Sequence, residues 1–170
     1  MATPLDGIDD LSIEILELLY SKCVFDSLRP ESDDARENMR TMKLIQVVYD
    51  DMVLRLWKFL DNSPTSNGGR PLIDRLRKRK LVDESRLVAG EATLIRLRAA
   101  MPNLEEYRHT RVAHIAAKRS AKIKPHPPLL PAIREAVALV DNLKGARNSY
   151  SVLTDDLRVI VLGEPPDPDI

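Results

Sequence analysis

Apolar residues along the first sixty positions recur at steps of three and four, the spacing that lines one face of an α-helix. Leu11, Ile15, Leu18 and Leu19 predict a first helix from about Asp9 to Asp26. Asp9 and Asp10 sit where a helix N-terminus favours negative charge, and Pro30 ends the element. Met39, Met42, Ile45, Tyr49, Met52, Leu56 and Phe59 carry the same period through a second helix, about Glu31 to Leu60, with Ser32 or Asp33 as its cap. At ~1.5 Å per residue this helix spans about 45 Å. The polar, glycine-ending stretch of residues 62–69 breaks the pattern and predicts a loop.

A short third helix has Pro71 near its first turn, Leu72, Ile73 and Leu76 on its apolar side, and the run Arg75-Leu-Arg-Lys-Arg-Lys80 at its end. Cations are favourable at a helix C-terminus, so part of that run is ordinary dipole chemistry. A fourth helix covers about Asp83 to Ala100, with Leu87, Leu94, Leu97 and Met101 inward. Pro102 opens a fifth, from about Asn103 to Ala121, with Glu105 and Glu106 in its first turn. The prolines of residues 124–131 bar helix until the last of them. A final long helix then runs to about Tyr150 on Ile133, Ala136, Val137, Val140 and Leu143. The stretch from Asp155 to Gly163 is a short helix or a strand. Long helices joined by short connections predict an all-α, up-and-down bundle of five to six helices, one domain over 1–163, with 164–170 a flexible tail.

Composition fits that picture. Apolar residues make up 44% and charged residues 31% of the 170, which excludes a disordered polyelectrolyte. No apolar run approaches the ~20 residues of a membrane helix, and the acidic first residues do not resemble a secretory signal. A cytoplasmic, reducing setting is expected, with the lone Cys23 packed among Leu19, Tyr20, Val24 and Phe25.

Net charge is zero, but it is unevenly spread. Residues 1–64 carry 7 basic and 13 acidic side chains, 65–124 carry 15 and 6, and 125–170 carry 4 and 7. A basic middle between acidic ends marks either an anion-binding surface or segments that pair with one another inside a bundle or across a dimer.

Most catalytic signatures are absent. Gly68-Gly69-Arg70 lacks the flanking spacing of a phosphate loop, and there is no cysteine pair or His-Glu-x-x-His for zinc. His109 and His114, five apart, lie about 140° apart on a helix, a poor chelate, so neither metal nor cofactor is expected. What remains is Tyr107-Arg-His-Thr-Arg-Val-Ala-His114, which holds two of the chain's three histidines and two arginines. Histidine exchanges protons near neutral pH, and arginine grips phosphate oxygens through paired hydrogen bonds. Together they suit metal-independent phosphodiester cleavage, the arginine stabilising charge that builds on phosphorus. Arg111 and His114, three apart, share a face. Arg108 and His114, six apart, lie about 240° around an ideal helix. They converge if the turn is distorted, if Arg108 bends across, or if a second subunit supplies one of them.

The pattern Arg108-His109-x-x-x-Ala113-His114 resembles the Arg-polar-x(3–5)-His signature of the HEPN superfamily, most closely its abortive-infection, U-type branch. Leu54-x-Leu-Trp57-Lys-Phe-Leu-Asp61, a polar loop and Pro71-Leu-Ile-Asp-Arg-Leu76 are similar to that family's long helix followed by a small one. The likeness covers residues 40–145, loosely outside the motif. It implies a homodimer with both motifs facing a shared cleft, and an endoribonuclease of toxin–antitoxin or antiphage systems, with RNA as substrate and an antitoxin protein as partner. Carried over, Arg108 is the phosphate-stabilising arginine, His114 the general acid/base, and His109 the polar residue that orients the cleft or contacts RNA. Arg111, Tyr107, Lys118 and Arg119 are the expected RNA contacts, joined by Arg75, Arg77, Lys78, Arg79, Lys122 and Lys124. Ala116 stands where some members carry a tyrosine that a nucleotidyltransferase modifies, so that control is not expected here. The alternative is a non-catalytic helical module that binds protein or nucleic acid through its long helices.

Overall fold

The computed structural model describes residues 4–102, 104–107, 129–147, 150–153 and 159–162, with the side chains of 105, 106 and the strands left aside. The protein is an all-α bundle: α1 (Asp6–Ser27), α2 (Ala35–Leu60), α3 (Gly69–Lys78), α4 (Glu84–Ala100), α5 (Leu104–Tyr107) and α6 (Leu130–Lys144). Tyr150–Leu153 (β1) and Val159–Leu162 (β2) form a two-stranded antiparallel ladder, Tyr150 opposite Leu162. The stretch after Asp155 therefore contains a strand. No helix among the described residues is long and apolar enough to cross a membrane.

Consecutive long helices run antiparallel, as their polar contacts record. Ser21 donates to Asp51 (2.8 Å) while Glu14, further up α1, meets Arg55 and Lys58, further down α2. Arg77 and Arg70 of α3 meet Glu84 and Glu91 of α4 in the same opposed order. On the α4–α6 seam, Asn142 reaches Thr93 (2.9 Å) and Glu135 reaches Arg96 (2.9 Å).

The core is built from the stripes that the periodicity marks. Leu11, Ile15, Leu18 and Leu19 of α1 are buried, as are Leu72, Ile73 and Leu76 of α3, and all five residues expected to line α6. Leu87 and Leu97 of α4 and Met101 just after it are buried, and Leu94 packs partly against the core. Cys23 is 7% exposed, and burial, with Asp26 adding to it, pushes its thiol pKa up, as suits a packed side chain.

Two boundaries and one extent of burial differ from expectation. α2 starts at Ala35, so its cap is Asp34, whose carboxylate accepts from the Arg36 N–H (2.7 Å). Ser32 instead accepts from the Asp34 N–H and donates to Glu37, shaping the preceding turn. α6 stops at Lys144, six residues short of Tyr150, because Gly145 takes the left-handed conformation (φ 68°) that closes a helix. Its N–H bonds the Asp141 carbonyl, and Arg86 of α4 reaches the freed carbonyls of Asn142 and Leu143.

The third difference lies in α2 itself. The apolar stripe continues to its N-terminus, but the core does not. Tyr49, Met52, Leu56 and Phe59 are buried, whereas Met39 is 61% and Met42 48% exposed. Periodicity marks the face; neighbours decide how much of it is covered.

Candidate functional site

Of the expected motif residues, Tyr107 lies among the described residues, with the turn that leads to it. From α4, Met101 and Leu104, both buried, turn the backbone back onto the core, with the Leu104 N–H bonded to the Met101 carbonyl (3.1 Å). That turn lays the half-buried Tyr107 across α2. Its hydroxyl donates to Asp50 Oδ1 (2.7 Å) and accepts from Gln46 Nε2 (3.0 Å), while Gln46 also donates to Asp50 (2.8 Å). The Tyr107 ring meets Tyr49 edge-on, centroids 5.6 Å apart, and Tyr49 in turn meets Phe25 at 6.0 Å. Burial first, then the nearby Tyr107 and Asp50, hold the Tyr49 phenol protonated well above the usual tyrosine range.

Chemically, this cluster is an anchor. A phenol held by a carboxylate and an amide fixes the residue immediately before Arg108. Gln46 and Asp50, one turn apart on α2, were not among the expected functional residues. Their one sequence signal is the i, i+4 spacing of an amide and an acid, too common to single them out. Of the expected site residues, Tyr107 is placed by the structure; Arg108, His109, Arg111, His114, Lys118 and Arg119 lie outside the described residues, as do Lys122 and Lys124.

The cationic run 75–80 is described, and its members differ. Arg77 is engaged with Glu84 (2.9 Å) and Glu91 (3.0 Å), with Asp74 at 3.8 Å. Those contacts, Glu84 foremost, raise the guanidinium pKa and keep it charged. Arg75 donates to the Pro64 carbonyl (3.3 Å) and to Asn67 (2.8 Å), bracing the 61–68 loop. That loop closes so tightly that a Cβ at Gly68 would stand 2.0 Å from the Asp61 carbonyl oxygen. Lys78, Arg79 and Lys80 are exposed, and no acid among the described residues pairs with them. Among the described residues, part of the basic middle thus pairs within the bundle, and part does not. A cleft of about 340 Å³ lies beside the turn, lined by Arg77, Lys80, Leu81, Val82, Glu84 and Arg86 among others.

Among the described residues no group of three or more His, Cys, Asp or Glu side chains is placed to hold a metal ion. No family model matches the chain, and comparisons with curated proteins and with solved structures find no match.

Proposed function

We propose that this protein is a metal-independent endoribonuclease of HEPN type, acting as a homodimer whose two copies bring Arg108 and His114 to one cleft. The observation that carries the proposal is the octet 107–114, with two arginines and two histidines in a chain that has few histidines. The tethering of Tyr107 to Asp50 and Gln46 supports it, since chemistry needs a segment held in place at its start. In the reaction, one His114 imidazole takes the proton of a ribose 2′-hydroxyl, whose oxygen attacks phosphorus. The protonated imidazole of the other copy gives its proton to the departing 5′-oxygen, leaving a 2′,3′-cyclic phosphate. Arg108 neutralises charge on the non-bridging oxygens; His109 and Arg111 orient the strand; Lys118 and Arg119 contact its backbone. Such an activity fits a cytoplasmic toxin or antiphage effector restrained by an antitoxin protein.

The test is incubation of wild type, Arg108→Ala and His114→Ala with total RNA in EDTA. Cleavage by wild type alone supports the proposal. Cleavage that persists in both variants, or is absent from wild type, removes it.

A second function is favoured by one observation, the uncovered N-terminal half of α2. Met39, Met42, Leu44 and Val47 are all at least 47% exposed there, as suits a non-catalytic module that docks a partner. Under that function, induced wild type is no more toxic to cells than His114→Ala.

A further inference from the structure

The exposed turn between α3 and α4 breaks a local rule of stability. α3 ends with Leu81 N–H bonded to the Leu76 carbonyl and Lys80 N–H to that of Arg77, the paired bonds of a left-handed helix stop. The residue that takes the left-handed conformation is Lys80 (φ 54°), the one non-glycine residue with positive φ among those described. Glycine occupies such positions because it has no Cβ to clash, and Gly145 does so at the end of α6. Here the chain keeps a cation at a strained position, beside two more cations that have no acidic partner among the described residues. Cation–dipole attraction does not require this, since Arg75, Arg77 and Lys78 already lie in the last turn of α3.

We propose that Lys78, Arg79 and Lys80 form a phosphate-contact site for RNA, separate from the 107–114 segment. The inference rests on the ribonuclease function proposed above and adds where its substrate is held. α4 sets the separation: its 17 residues extend about 25 Å, with the cationic turn at one end and the approach to Tyr107 at the other. An RNA long enough to span that length contacts both, whereas a shorter one reaches only one of them. Arg77, held by Glu84 and Glu91, belongs to the bundle and not to this site.

The experiment measures binding of a 30-nucleotide RNA by fluorescence anisotropy across salt concentrations, in a His114→Ala background so that cleavage does not intrude. Replacing Lys78, Arg79 and Lys80 together by glutamine lowers the slope of log affinity against log salt by about 2. Lys80→Gly is the folding control: it raises the melting temperature while lowering the slope by about 0.7. An unchanged slope in the triple variant overturns the proposal, as does absence of RNA binding by the background protein. Cleavage is scored separately with His114 intact. A changed slope without cleavage retains the contact site and removes the nuclease; cleavage with an unchanged slope does the reverse.

Discussion

Tyr107→Phe isolates the anchor, because it removes one oxygen and leaves the ring against Tyr49. The lost hydroxyl donates to a carboxylate at 2.7 Å and accepts from an amide at 3.0 Å. A hydrogen bond to a charged group contributes about 1.5–3 kcal/mol when well formed and dry. Tyr107 is half-buried, and Gln46 continues to donate to Asp50, so neither partner is orphaned. The expected loss is therefore at the low end, about 1–2 kcal/mol. At roughly 2–4 °C per kcal/mol for a chain of this size, the melting temperature falls by about 2–8 °C. Urea titration measures the loss directly. A double-mutant cycle with Asp50→Asn assigns about 1 kcal/mol of it to the pair. Amide exchange in Leu104–Tyr107 accelerates in the variant, because the anchor holds that turn. A loss under about 0.3 kcal/mol with unchanged exchange refutes the anchoring argument, since a solvated hydroxyl would cost nothing to remove.

Three further perturbations probe the frame. Gly145→Ala costs about 1–3 kcal/mol in denaturant titration, because the new Cβ meets both an unfavourable φ and the Arg86 guanidinium, whose Cζ lies 2.6 Å from that point. Thr93→Val costs about 1–3 kcal/mol, because the fully buried hydroxyl accepts from both Asn142 and Arg96, and its loss strips an acceptor from two donors on the α4–α6 seam. Stability also falls as pH rises above about 10, the ordinary tyrosine value. The folded state holds Tyr49 protonated above that value, so its contribution is fully present below it and is lost as the unfolded chain ionises first. Tyr49→Phe flattens that alkaline limb of a stability–pH profile.

Why some features were legible and others not follows from what each depends on. The stripes Leu11-Ile15-Leu18-Leu19 and Ile133-Ala136-Val137-Val140-Leu143 state which face is apolar, and a bundle gives such a face one place to go. The extent of burial depends on neighbours, so Met39 and Met42 share the stripe of Tyr49 and Met52 yet stay exposed. α1 makes the same point from the other side: Ile13, Leu16 and Tyr20 form an outward apolar row beside the buried one. The end of α6 carried a signal, Gly145 directly after Lys144, that the apolar period overran.

For the candidate site, histidine and arginine spacing marked out residues 107–114 and said nothing of what holds Tyr107. Tyr107 is tied to Gln46 and Asp50, some sixty positions earlier, a pairing that only the crossing of α5 over α2 creates. Charge counting likewise found the basic run and could not divide it. Arg77 is paired because the α3–α4 turn folds Glu84 and Glu91 back onto it, while Lys78 to Lys80 make no ion pair with them.

The chemistry assigned to Arg108 and His114 is tested most directly by the ends of the RNA fragments that the purified protein produces in EDTA. Wild type leaves 5′-hydroxyl and 2′,3′-cyclic phosphate termini, and His114→Ala yields no such fragments. Fragments ending in 3′-hydroxyl and 5′-phosphate, or identical fragments from the His114→Ala protein, would contradict it.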